Sequence, residues 1–215
     1  MALLIGLVIC AILWKRTALD TEKTLIHGNL MFAMVLAYFL TLASKGATSN
    51  EIVCLAVTIL RYNIFLTVFC CMFVEALHLF RMIVLVFGTE RNFRIAYIVI
   101  SWGMPMLMTT VTAAIGREQL YDKERCWLTG RFIWAFIAPV VALLTTNLAI
   151  LVVIVYKTMA AAEKHEKDRS RSIRIGLRSA ALLLPMVGGT WLIGLLSNIN
   201  VIVAYVFDVL SSLQN

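Results

Sequence analysis

Histidine, carboxylate and cysteine carry most of the reactive chemistry available to this chain, and few of them fall inside its apolar stretches. The histidines are His27, His78 and His165. His78 follows Glu75 by three residues, which puts both on one helical face. Glu75 lies deep in a long apolar run, about 35 Å from the start of that run by helical rise. His27 opens the preceding run from the other side, so the two sit at comparable depth. Ionisable groups at bilayer depth are costly unless paired. A His27–Glu75 hydrogen bond would satisfy both and clamp two helices, either as a fixed strut or as a latch that opens. Neither a Gly-x-Ser-x-Gly elbow nor a His-Glu-x-x-His zinc helix occurs. No catalytic, metal or cofactor site is expected, and the chain is not read as an enzyme.

Two cysteines fall at the ends of apolar runs. Cys54 begins one, and Cys126 lies between two others. Both fall on the same side of the bilayer in the topology derived below, and that side is oxidising. A bridge between them would tie a loop over one mouth of a bundle; the alternative is two unrelated cysteines. Cys10, Cys70 and Cys71 lie inside apolar runs and are expected as free thiols. Asn29, Asn63, Asn147 and Asp208 are buried polar candidates, best read as bonds between helices. Pro185, Gly188, Gly189 and Trp191 make a further group. Proline removes a backbone hydrogen bond and kinks a helix. Trp191 then stands about 27 Å from the start of its run. A large aromatic beside a hinge can couple pocket occupancy to helix tilt, although spacing alone is met by simple packing.

These residues need long membrane helices to hold them. The chain has 215 residues, 61% hydrophobic and 14% charged, with a mean hydropathy of +0.90. A soluble domain carries about 25% charged residues. The apolar residues come in solid runs, without the alternation of a membrane barrel. A spanning helix takes about 20 apolar residues. Seven runs qualify: 1–14, 25–43, 52–86, 93–115, 130–157, 173–196 and 200–215. The first and last reach only about 21 and 24 Å, so both are expected to be truncated helices. The expected fold is an all-α membrane protein, one seven-transmembrane helix bundle over 1–215.

The net charge is +7. Nucleic acid is not the partner it implies, because the basic residues lie between apolar runs. With the N-terminus outside, the inner connections hold Lys15, Arg16, Lys23, Arg81, Arg91, Arg94 and seven more between Lys157 and Arg178. The outer connections hold Lys45, Arg117, Lys123, Arg125 and Arg131. That asymmetry supports an extracellular N-terminus. Arg61 belongs to neither set and lies within the third run. The inner loop around Glu163–Arg171 reads as a solvated charged segment with affinity for anionic lipid, or as a partner surface.

Several stretches, taken in order, match one family. They are Ile26-His27-Gly28-Asn29-Leu30 in the second run and Phe73-Val74-Glu75-Ala76-Leu77-His78-Leu79-Phe80 in the third. Ser101-Trp102-Gly103-Met104-Pro105 opens the fourth. Cys126-Trp127-Leu128 and Phe132-Ile133-Trp134 lead into the fifth. Leu184-Pro185 and Gly189-Thr190-Trp191 lie in the sixth, and Ser211-Ser212-Leu213-Gln214 in the seventh. The chain resembles the transmembrane domain of class B receptors and, within them, the adhesion G-protein-coupled receptors. The resemblance covers nearly the whole chain.

It implies that Cys54 and Cys126 are the family disulfide. His27, Glu75 and His78 look like the inner polar network, and Trp191 like the switch tryptophan with Pro185 and Gly188 as its hinge. Trp127, Phe132, Trp134 and Trp191 would contact or sense a tethered or peptide agonist in an outer pocket. A heterotrimeric G protein would bind the cytoplasmic side of a multi-pass plasma-membrane receptor. There are departures. Phe80 stands where the family usually has tyrosine, Ala76 for a common glycine, and Asn215 at the position of a central glycine. The cleavage motifs His-Leu-Ser and His-Leu-Thr do not occur in these residues. Two other readings are a transporter or channel-like polytopic protein, which would show repeats and broken helices, and a truncated, non-signalling receptor fragment.

Overall fold

The computed structural model describes residues 21–84, 93–116 and 120–163. Four of its helices are long and apolar enough to cross a membrane. The first, α1, is Thr21–Ala47 and the second, α2, is Glu51–Val84. Between them Asn50 turns the chain. Its Oδ1 accepts from the amides of Ile52, at 3.0 Å, and Val53, at 3.4 Å, satisfying donors that a helix start leaves open. The third span, α3, runs Arg94–Gly116. The fourth, α4, is Ile133–Glu163, entered through a 3-10 turn at Gly130–Phe132.

All four are longer than, or offset from, the apolar runs of the sequence. Polar residues at their ends continue the helical backbone. The α3 span is also not uniform: Val99–Gly103 is a π-helical turn. Pro105 follows, and it has no amide to give the carbonyl four residues back. A widened turn beside a proline has that local cause. The Ser101–Pro105 motif therefore sits inside the helix, where the sequence suggested its opening.

Between α3 and α4 lies a feature absent from the sequence reading, a small antiparallel hairpin. Its strands β1, Tyr121–Asp122, and β2, Trp127–Leu128, pair Tyr121 with Leu128 and Asp122 with Trp127. Asp122 Oδ1 accepts from the Glu124 amide at 2.9 Å, an Asx turn that starts the reversal. Gly130 then takes φ +55°, a left-handed conformation that favours glycine.

Each helix buries one stripe and exposes another. On α3 the buried stripe is Tyr97, Ser101, Pro105, Thr109, Thr112 and Gly116, mostly small residues that permit close helix approach. Its opposite face exposes Met106, Leu107, Val111 and Ile115. Large apolar side chains facing outward suit lipid as solvent. The α2 helix differs, because Leu66 to Met72 is buried on every side, as a helix segment apolar all round is; it is the most enclosed of the described helices. The described residues fall into two units. Residues 21–78, 93–116 and 120–143 belong to one, and 79–84 and 144–163 to the other. In the second unit Leu79 and Val155 pack on Leu151.

Candidate functional site

Two constellations form within the first unit, one toward each end of α2. The end beginning at Glu51 holds the disulfide. Cys54 and Cys126 are bonded, with Cα atoms 5.1 Å apart. Ala47, Val57 and Tyr121 pack around the bridge. Tyr121 donates its hydroxyl to the Glu51 carbonyl at 3.3 Å, and Lys123 pairs with the Glu51 carboxylate. The hairpin is thus held to the start of α2 by several bonds.

This seating carries Trp127 onto an aromatic cluster. Its ring meets Phe65 at 5.6 Å and Phe136 at 5.5 Å, both edge-on. Phe136 also meets Phe69 and Tyr62, each at 6.3 Å. Such edge-to-face pairs contribute about 0.5–1.5 kcal/mol beyond their buried area. Phe65 and Phe69 are four residues apart, so one face of α2 presents both. Phe132 is buried nearby in sequence, under the Arg131 guanidinium at 5.2 Å. Trp134 does not join the cluster; it is 65% exposed.

Toward the other end of α2 the polar residues meet. His27 Nδ1 lies 3.2 Å from Glu75 Oε1. An ionised carboxylate only accepts, so Nδ1 carries the hydrogen in that state. Glu75 Oε2 is buried with no hydrogen-bond partner among the described residues. His78 turns elsewhere, edge-on to Tyr97 at 6.0 Å. Ile26, Val74 and Tyr97 form the apolar packing beside these groups. One turn away, Trp102 donates its indole N–H to Asn29 Oδ1 at 3.1 Å, joining α3 to α1. Asn63 similarly donates to Thr109 at 3.3 Å, joining α2 to α3. Asn147 is buried with its Oδ1 unpartnered among the described residues.

Cys70 and Cys71 are buried free thiols. Cys10, Pro185, Gly188, Gly189, Trp191 and Asp208 lie outside the described residues, as do the first, sixth and seventh runs. No group of three or more His, Cys, Asp or Glu residues able to hold a metal occurs among the described residues.

Sequence reasoning passed over Arg61, Tyr62, Phe65, Phe69 and Phe136. A charge inside an apolar run was the signal at Arg61. Aromatics recurring at four-residue spacing were the signal at Phe65 and Phe69.

Comparison with known proteins agrees in direction. The profile of the family described as 7 transmembrane receptor (Secretin family) matches residues 1–215. The chain is 30% identical over 220 residues to Adhesion G-protein coupled receptor D1 of Bos taurus, covering 100% of the chain and 24% of that protein. It is 32% identical over 206 residues to Adhesion G protein-coupled receptor D2 of Homo sapiens, covering 90% of the chain and 21% of that protein. To Adhesion G protein-coupled receptor L1 of Homo sapiens it is 32% identical over 202 residues, covering 91% of the chain and 14% of that protein. The chain spans about a quarter or less of these relatives.

Proposed function

The chain belongs to the secretin family of seven-transmembrane receptors, and we propose that it is the bundle of an adhesion-type receptor that passes an extracellular peptide signal to a cytoplasmic G protein. Its relatives are adhesion receptors. The family is one of receptors rather than enzymes, and it favours this reading over a transporter or channel. The remaining helices of the seven, over 1–14, 173–196 and 200–215, complete the bundle in this reading. The disulfide end faces outward at the plasma membrane, and the agonist is a tethered or free peptide.

One observation carries the proposal. A single helix, α2, bears an aromatic cluster under a disulfide-anchored hairpin at one end and a His27–Glu75 contact toward the other. From Cys54 to Glu75 the helix rises about 32 Å. A rigid element spanning that distance can be biased from one end and read at the other. Trp127, Phe132 and Trp134 are the described residues assigned to the ligand pocket, with Trp191 as a further pocket residue and the switch, hinged at Pro185 and Gly188. Trp134 is assigned there by resemblance, and its exposure sets it apart from Trp127. His27, Glu75 and His78 form the inner network that changes as the cytoplasmic end opens.

The test is Trp127→Ala in the full-length protein, measured as G-protein signalling at matched surface expression. Loss of agonist-driven signalling of tenfold or more in potency, with Trp134→Ala milder, is the expected result. Unchanged potency and maximal response would remove Trp127 from the pocket.

A further inference from the structure

Arg61 is the eleventh residue of α2, about 15 Å into a membrane-length helix. A guanidinium at such depth is expensive and needs partners. Among the described residues it has no carboxylate. Its partners belong to the hairpin instead. Nη1 donates to the carbonyl of Cys126 at 3.2 Å and of Arg125 at 3.4 Å. Cζ stands 4.8 Å from the centre of the Trp127 ring. The two carbonyls sit in the tight reversal between β1 and β2. There Cys126 holds φ +44°, a left-handed conformation uncommon for a residue with a side chain.

We infer that Arg61 is the positioning residue for Trp127, a further non-covalent tie, deeper along α2 than the others, that fixes the hairpin's orientation. The disulfide alone cannot do this. It limits the distance between Cys54 and Cys126, and the Tyr121 and Lys123 contacts with Glu51 attach within the same first turn of α2, which leaves the Arg125–Trp127 side of the hairpin to be oriented. Nη1, bonded to the carbonyls of two consecutive peptides, Arg125–Cys126 and Cys126–Trp127, supplies that orientation. The same guanidinium stands over the ring of the next residue, Trp127. The spacing on α2 fits the role. Arg61 is seven residues after Cys54 and four before Phe65, so bridge, guanidinium and ring share one face. Trp127 is thereby held between the Arg61 cation and the Phe65 edge. Lysine can donate to a carbonyl but has no guanidinium plane to set against the indole.

The signalling consequence rests on the pocket reading of Trp127, but the positioning itself does not. The experiment is amide hydrogen exchange on the full-length protein in lipid nanodiscs, comparing wild type, Arg61→Met and Arg61→Lys. Methionine is apolar and of similar reach, so it removes the guanidinium without adding a desolvation cost to membrane insertion. Arg61→Lys keeps the charge and guards against a folding failure of the first variant. In Arg61→Met the hairpin amides, including Thr129 bonded to Leu120, should exchange at least tenfold faster, equivalent to about 1.4 kcal/mol. Arg61→Lys should fall between. Amides of residues 62–72 should not change, and the disulfide should remain formed. Wild-type exchange of the hairpin in both variants overturns the inference. If the hairpin loosens while Trp127→Ala leaves signalling intact, the positioning role stands and the pocket reading fails.

Discussion

His27 and Glu75 lie 48 residues apart in sequence and meet through one contact. The histidine side chain is 47% exposed and the carboxylate 14%. The two ends of this bond are therefore not equivalent. Removing the imidazole leaves a largely buried carboxylate without that donor, a loss of about 1–3 kcal/mol. Replacing the carboxylate by an amide keeps an oxygen that still accepts from Nδ1–H. His27→Ala should therefore shift ligand-independent signalling or surface level more than Glu75→Gln does. Signalling normalised to cell-surface protein decides this. Wild-type behaviour of both variants would make the contact idle. The pairing was legible in sequence because cost leaves an intramembrane carboxylate few options. The Arg61 contacts were not, since their acceptors are backbone carbonyls of a turn, which no residue type announces.

Pro139 lies inside α4. Having no amide hydrogen, it cannot serve the carbonyl of Ala135, four residues earlier. Tyr62, 1% exposed on α2, donates its hydroxyl to that carbonyl at 3.1 Å. Its oxygen also lies 3.3 Å from Thr112 Oγ1, whose own hydrogen can go to the Met108 carbonyl at 2.8 Å. Two hydroxyl hydrogens serve three contacts, and the orphaned Ala135 carbonyl has the strongest claim on the tyrosine. Tyr62→Phe should then cost about 1 kcal/mol in thermal stability of the purified protein. In a Pro139→Ala background, where residue 139 regains an amide, the same change should cost almost nothing. An equal cost in both backgrounds breaks the link between Tyr62 and the proline. Helix existence was readable from the apolar runs of the sequence, as at 130–157 for α4. Helix ends were not, because polar residues such as those of Thr21–Thr24 continue a helix past the apolar stretch. The hairpin escaped because strands of two residues carry no periodic pattern.

The direction of the bundle in the membrane joins these local features. Basic residues gather in the connections after Arg81 and around Glu163–Arg178, while the bonded pair Cys54–Cys126 lies at the opposite end of α2. A disulfide persists on the oxidising side of a membrane, and lysine and arginine favour the cytoplasmic side. The two rules rest on unrelated chemistry, one on redox poise and one on charge translocation, and they give the same orientation. In this proposed orientation the turn at Thr48–Asn50 lies outside and the charged segment after α4 inside. Substituting Ser49→Cys and, separately, Ser170→Cys supplies a thiol on each side. The Cys54 and Cys126 thiols are bonded, and Cys70 and Cys71 are buried, so they add little background, and a Cys10→Ser background removes the fifth cysteine of the chain. A membrane-impermeant maleimide on intact cells should label the Ser49→Cys protein. The Ser170→Cys protein should label only after permeabilisation. The reverse pattern would put the aromatic cluster and Trp127 on the cytoplasmic side, beyond reach of any extracellular peptide, and with it the proposed direction of signalling would fail.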